Sequence, residues 1–166
     1  MPGMADVPEL NCRTYVTSEG RPGVYFFSLD IASRLAATGA RTFYHLPYFH
    51  ARMHVEKQAE GIRYSSRRGE AVLRASYKPI SAACTAQRGT LEYFLAERYC
   101  LYTVWNGRKY RGEIHHAPWP LQQASATIEE NTVAEAAGVK VAGRPDLLSF
   151  ARELKVLIWP LGRVQS

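Results

Sequence analysis

The sequence predicts an α+β domain in which antiparallel β-structure dominates. Three observations carry this reading. Turn signals built from Gly, Pro, Asn and Ser punctuate the chain at short intervals. The segments between them are rich in Val, Ile, Tyr and Phe. The helix-like patterns are short and capped. At 166 residues the chain suits one domain spanning residues 1–166.

Residues 14–17 and 24–28 flank the turn-rich SEGRPG and read as a hairpin. Tyr25, Phe26 and Phe27 form a bulky run, typical of a strand covered on both faces. Ser28 or Asp30 caps a helix through Thr38, with Ile31 and Leu35 on one face and Gly39 closing it. Residues 42–54 are rich in aromatics, and Pro47 interrupts any helix there. Residues 61–66 and 71–77 pair across Arg68-Gly69, and Lys78-Pro79 ends the second strand. Thr90 caps a helix carrying Leu91, Phe94 and Leu95 on one side. Residues 98–105 and 108–116 flank Asn106-Gly107, the strongest hairpin signal, because both residues tolerate positive φ. Pro118 and Pro120 break the second of these strands. Thr132 and Glu135 fit a capping box, and Gly138 limits that helix to a turn or two. Residues 155–159 read as a closing strand. The tally is about six to eight strands with two or three short helices, in a curved sheet or barrel-like domain.

Hydrophobic residues make up 46% and charged residues 22% of the chain, the balance of a soluble globular protein. The net charge is +6, but the basic residues are scattered and no run of five Lys/Arg occurs, so no nucleic-acid partner is expected. No segment approaches the roughly 18 apolar residues of a membrane span. The start, MPGMADVPEL, has neither a basic end nor an apolar core and is not a secretory signal. Cys12, Cys84 and Cys100 are odd in number and lack metal-type spacing, as for reduced thiols in a cytoplasmic protein.

The densest chemistry lies in residues 89–122, where polar groups sit on apolar scaffolding. Such groups are costly in a core unless paired or facing a pocket. His115 and His116 are adjacent on a strand and point to opposite faces, so they do not share an ion. His50 and His54, with Glu56 nearby, fall short of a zinc ligand set. No metal and no cofactor are expected. Lys109, Arg111, Glu113 and His115 form one row, either a solvated charge-paired face or the wall of a polar pocket. Glu92, Glu97 and Arg98 cluster at a helix end. Arg13, Arg63, Arg67 and Arg68 lie on or beside strands, and one planted inward would suit a carboxylate. Tyr48, Tyr64 and Tyr99 can supply phenol donors. No nucleophile elbow, P-loop or dinucleotide fingerprint is present.

The run ELNCRTYVTSEGRPGVYFFSLDIASRLAATGAR (residues 9–41) resembles the YqjF-like family of bacterial proteins, also termed domain of unknown function 2071. HLPYFHARM, YSSRR, GTLEYFLAERYCLY, EIHHAPWPLQ and LSFARELKVLIWPLGRV continue the match over almost the whole chain. The resemblance implies a further N-terminal segment before the position of Val7. The chain is therefore expected to be a short form, or to start at a late-assigned position. The family in turn looks like a distant relative of acetoacetate decarboxylase, which implies a mostly antiparallel, cone-like barrel. That enzyme works through a lysine at low pKa. Here the helix, Gly39-Ala-Arg41 and His45-Leu46-Pro47 lead to Tyr48 where the lysine would stand. Decarboxylase activity is accordingly not expected. Near Asn11 and Arg13 the relative carries a glutamate.

Three readings follow. The first is a small-molecule-binding protein whose central pocket holds an anionic metabolite, with Arg13, Arg63 or Arg98 on the anion and Tyr48, Glu92 and His115 lining the cavity. The second is an enzyme without Schiff-base chemistry, using Tyr48 or His115 as acid/base and Glu92 as partner. The third is a structural or homo-oligomeric protein.

Overall fold

The computed structural model describes residues 7–164. In chain order the elements are β1 (Glu9–Ser18), β2 (Arg21–Ile31), α1 (Arg34–Tyr44), β3 (Tyr48–His50), β4 (Arg52–Gln58), β5 (Gly61–Arg68), β6 (Ala71–Pro79), α2 (Leu91–Ala96), β7 (Cys100–Trp105), β8 (Arg108–His116), β9 (Gln122–Asn131), α3 (Val133–Ala136), β10 (Ser149–Phe150), β11 (Val156–Ile158) and β12 (Gly162–Arg163). The chain forms two compact units, each assembled from three separate segments.

The first unit takes in the chain as far as Arg13, then Phe26–Lys78 and Ala126–Arg144. Here β4, β5 and β6 make an antiparallel meander, in register from Arg52↔Arg67 to Gln58↔Gly61 and from Ile62↔Tyr77 to Arg68↔Ala71. Strand β9 lies beside β6. The period of two places Tyr64, Ser66 and Arg68 on one face of β5 and Arg63 and Arg67 on the other. The first row is buried or half-buried, and Arg63 and Arg67 are exposed. The later part of β2 pairs in parallel with β3, Leu29↔Tyr48 and Asp30↔Phe49. Parallel neighbours need a crossover, which α1 supplies.

Two expected features are different in this unit. The sequence put a helix cap at Ser28 or Asp30 and the helix end at Gly39. Instead β2 continues to Ile31, with Ser28, Leu29, Asp30 and Ile31 at 2%, 1%, 0% and 1% exposure. Burying Leu29 and Ile31 on a paired strand outweighs the local capping preference of Ser28 and Asp30. The cap is Ser33, whose hydroxyl accepts from the Ala36 amide at 3.2 Å. The helix runs past Gly39 and ends at His45, which takes the left-handed conformation at φ 48°. Leu35, expected inward, is 88% exposed, and the buried face carries Ala37 and Ala40. The Thr132 capping box also does not form. The Thr132 hydroxyl accepts from the Val72 amide at 3.0 Å and donates to the Glu70 carbonyl at 2.5 Å, tying α3 to the β5–β6 turn.

The second unit takes in Thr14–Tyr25, Pro79–Ser125 and the chain from Pro145. Its strands run in the order β1-β2-β7-β8-β11, with β12 also on β8. Strands β2 and β7 are parallel, Val24↔Leu101 and Tyr25↔Tyr102. Strand β8 pairs antiparallel with β7, β11 and β12. The β1–β2 turn is just Glu19-Gly20, at φ 54° and 73°. Pro22, read from sequence as part of the turn, lies within β2. Asn106 and Gly107 turn as expected, at φ 49° and 70°. Thr90 caps α2 by accepting from the Tyr93 amide at 3.2 Å. Cys100, Tyr102 and Val164 form a core against which Val16 and Tyr25 pack. The Tyr102 hydroxyl is shared between the carbonyls of Ser18 at 3.2 Å and Arg21 at 3.0 Å.

Strand β9 was not anticipated. Its sequence, QQASATIEEN, carries one large apolar residue, and its order comes from backbone pairing with β6 and β10. Among the described residues no helix is long and apolar enough to cross a membrane.

Gly23 marks the tightest approach in the second unit. A Cβ there would lie 2.6 Å from the Cys100 carbonyl oxygen and 2.8 Å from the Cys100 sulfur. Gly39 meets nothing within 4 Å. Gly23→Ala is expected to lower unfolding stability by about 2 kcal/mol or more through overpacking. Gly39→Ala is expected to raise it by about 0.5–1 kcal/mol through helix propensity. Urea midpoints of the two variants check both signs.

Candidate functional site

Two polar clusters stand out, one in each unit. In the first, Glu9 on β1 receives the Tyr48 hydroxyl at 3.1 Å. The Tyr64 hydroxyl donates to the Glu9 carbonyl at 3.0 Å. Desolvation raises the pKa of Glu9, and the bonds from Tyr48 and Asn11 only partly oppose it. The phenols of Tyr48 and Tyr64 are likewise pushed up, first by burial and then by the Glu9 charge for Tyr48 and by neighbouring groups for Tyr64. Both remain donors at neutral pH. Beside them lies a buried ion pair, Arg68 Nε to Asp30 Oδ1 at 2.8 Å, with the Asp30 side chain 1% and the Arg68 side chain 25% exposed. The Arg68 guanidinium also covers the Phe49 ring at 4.4 Å. Asp30 Oδ2 and the hydroxyls of Ser28 and Ser66 are buried without a partner.

The second cluster gathers around Arg98, between α2 and β7. Arg98 is 9% exposed. Its guanidinium lies over Phe94 at 4.2 Å and near Tyr15 at 5.5 Å. Nη1 donates to the Glu97 carbonyl at 2.9 Å, and buried Nε has no acceptor. No carboxylate among the described residues pairs with it. The adjacent Glu97 carboxylate instead takes the Tyr99 hydroxyl. That bond, helped by some desolvation and the Glu97 charge, pushes the Tyr99 phenol up to about 12. His116, 6% exposed, stacks on Tyr99 at 4.7 Å and 15° and meets Trp119 at 5.5 Å. Its Nδ1 faces the Ala117 carbonyl at 2.9 Å and its Nε2 the Arg98 carbonyl at 3.2 Å. The buried Trp119 Nε1 also lacks an acceptor.

The six residues expected at the site fall into different settings. Arg13 is half-buried on β1. Tyr48 lies in the first cluster and meets Glu9. Arg63 is on the exposed face of β5 and pairs with Glu129 at 3.4 Å. It borders a surface groove of about 250 Å³ that also holds His54, Glu56 and Arg74. Glu92 is half-buried and borders a groove of about 230 Å³ near Cys84, Leu121 and Ser149. Arg98 anchors the second cluster. His115, expected to line a cavity, is exposed, and His116 is the inward histidine. The reason is the phase of β8: buried Gly112 and His116 share a face, which leaves Arg111, Glu113 and His115 on the other. That outer row is a charge-paired surface. Glu113 takes Arg21 at 2.5 Å and Arg111 at 3.0 Å, and Arg111 reaches Glu19 at 3.7 Å. The carboxylate bonded to the Tyr48 hydroxyl is that of Glu9. Sequence reasoning missed Glu9 and the pairing of Asp30 with Arg68. Arg68 lay in the row of candidate arginines, and the buried partner that singles it out came from a residue read as a helix cap.

The family model of domain of unknown function 2071, described as an uncharacterized conserved protein, matches residues 1–155. The chain belongs to this family. An uncharacterized member, YqjF of Bacillus subtilis strain 168, is 51% identical over 164 residues, covering 97% of this chain and 68% of that protein. Among solved structures, an acetoacetate decarboxylase matches at TM-score 0.63 and 11% identity, over 94% of this chain and 67% of that one. The decarboxylase from Legionella pneumophila matches at 0.59 and 11%, over 97% and 67%. The enduracididine biosynthesis enzyme MppR complexed with pyruvate matches at 0.54 and 12%, over 95% and 63%. The α+β, antiparallel-rich fold of acetoacetate-decarboxylase type is thus the fold of this family member. At such identities the likeness extends to the fold alone.

Three variants test the first cluster. Arg68→Ala leaves Asp30 buried and unpaired, so it is expected to lose about 3 kcal/mol of stability. Adding Asp30→Asn should restore much of that loss in urea unfolding. For Glu9, the folded state raises the pKa, so its neutral form is the stabilised one. The benefit is full below the usual carboxylate pKa and is lost as pH rises through the folded value. Glu9→Gln is therefore expected to melt higher than the parent at neutral pH, with the difference vanishing near about pH 4.

Proposed function

We propose that this protein binds a small anionic metabolite, with Arg98 as the group that holds the anion. The observation that carries the reading is an arginine nine-tenths buried, with its buried Nε lacking an acceptor and no carboxylate partner among the described residues. Burial of an unpaired charge costs several kcal/mol, and a bound anion removes that cost. The Phe94 and Tyr15 rings flank the guanidinium, Nη1 is spent on the Glu97 carbonyl, and the unpartnered Nε side of the fork is left for an anion's oxygens. A small carboxylate or keto acid suits this geometry. The solved structure of MppR with pyruvate, on a similar fold, supports that ligand class. In this reading the protein acts in the cytoplasm as one YqjF-like domain over residues 1–166 and needs no metal or cofactor.

A second reading, catalysis, is favoured by the Tyr48–Glu9 pair. A carboxyl of raised pKa touching a half-buried phenol is a proton-transfer couple. Tyr48 stands where the resemblance puts the decarboxylase lysine, and a phenol forms no imine. Any such reaction would be acid/base chemistry on a carbonyl or carboxylate substrate.

The test is a thermal melt of the purified chain against small carboxylates, keto acids and neutral analogues. Binding to the folded state raises the midpoint by mass action. The expected result is a shift confined to the anions, abolished in Arg98→Met and kept in Arg63→Met. Shifts of equal size in Arg98→Met would overturn the assignment. Mass spectrometry of the recovered ligand separates the readings: a binder returns it unaltered, an enzyme changes it, and Tyr48→Phe stops the change.

A further inference from the structure

We infer that His116, in its doubly protonated form, is a positioning residue for Arg98 and makes anion binding dependent on pH. The inference rests on the anion-binding reading of Arg98. Both ring nitrogens of His116 face carbonyl oxygens, Ala117 at 2.9 Å and Arg98 at 3.2 Å. A neutral imidazole has one donor and one acceptor nitrogen, whereas the imidazolium has two donors. Only the imidazolium satisfies both carbonyls. In either neutral tautomer a lone pair confronts a carbonyl oxygen.

One of those carbonyls belongs to Arg98 itself. The bond therefore fixes the backbone that carries the guanidinium, in the connection between α2 and β7. The ring is held flat against Tyr99 and abuts Trp119, so it has little freedom to turn away. Loss of the proton must strain or release the Arg98 carbonyl, and the guanidinium loses its setting between Phe94 and Tyr15.

The charged and titratable groups around His116 leave a bound anion as the counter-charge for its proton. From the α2 end come Glu97, whose carboxylate is occupied by the Tyr99 hydroxyl, and the cationic Arg98. Tyr99 remains a neutral phenol at physiological pH, its pKa pushed up to about 12. On β8 itself His115 faces outward, and Glu113 is engaged by Arg21 and Arg111. On β11, Val156 is the register partner of His116, and the neighbouring Lys155 is 91% exposed beside Glu153. No carboxylate in this set is bonded to the imidazole. An imidazolium and a guanidinium thus share a neighbourhood of donors, with the buried Trp119 Nε1 also lacking an acceptor. A bound anion favours the proton, and the proton favours the anion, as reciprocal linkage requires.

Sulfate is the probe, because its charge is constant across the histidine range. Its affinity for the wild-type chain is measured between about pH 5.5 and 8, where histidine changes charge. The expected result is a loss of about tenfold or more as pH rises. His116→Phe keeps a ring in the stack without donors and is expected to bind weakly with a flat profile. His116→Gln is expected to be flat as well. His115→Gln should keep the wild-type slope, which excludes a general surface effect. Calorimetry in two buffers of different ionisation heat gives a readout on the unmutated protein: sulfate binding near neutral pH should take up a proton. A flat wild-type profile, absence of proton uptake, or a slope that survives in His116→Phe would overturn the inference. If Arg98→Met binds sulfate as the wild type does, the anion reading itself fails. If Arg98→Met abolishes binding while the wild-type profile is flat, only the coupling fails.

Discussion

Strand β2 has almost no face for solvent, and much of the fold answers to that constraint. From Ser28 to Ile31 four successive residues are buried, so both sides of the strand must be covered and its backbone must be paired. Strand β1 runs beside it, β7 pairs with its first part and β3 with its last. Two of these contacts are parallel, which is why a helix separates β2 from β3. The close contact at Gly23 is the same constraint at the other end of the strand. Its polar residues carry the remaining obligation: Asp30 at 0% exposure needs a cation, and Arg68 reaches across from β5 to supply it.

Much of this organisation was legible in the sequence, and the parts that were not share a cause. Turns are local, so Asn106-Gly107 and the Gly69 turn could be read from two residues each. The Thr90 cap was equally local. The phase of a strand is not local. His115 and His116 were known to diverge, but Gly112 packing against Leu161 and Leu101 decides which one enters. Local preference also lost where burial competed: Asp30 and Ser28 read as caps and serve as strand. Thr132 read as a capping box, yet its hydroxyl is used by β6 and Glu70. Strand β9 left no signal because its backbone, not its side chains, holds it in place.

The candidate residues divide along the same line. Arg98 and Tyr48 were identifiable because each stands beside helix or proline signals that fix its context. Glu9 and the Asp30–Arg68 pair join residues 38 or 39 positions apart, and no local pattern announces such a meeting. The family likeness helped with Tyr48 by motif position. It could not supply Glu9 as its partner, since the solved relatives share backbone shape at 11–12% identity.

The three-segment construction of each unit bears on how the chain becomes a structure during synthesis. The first unit waits for Ala126–Arg144, and the second for the chain from Pro145. Strand β12 and Val164 close onto Tyr110, Arg111 and Lys109 of a strand made some fifty residues earlier. Neither unit can be completed while most of the polypeptide is still emerging. The half-made chain would hold β2, with its apolar residues and Asp30, before several of its partners exist. Such a topology closes late, through distant pairings, and delays rapid folding until the segment from Pro145 has emerged.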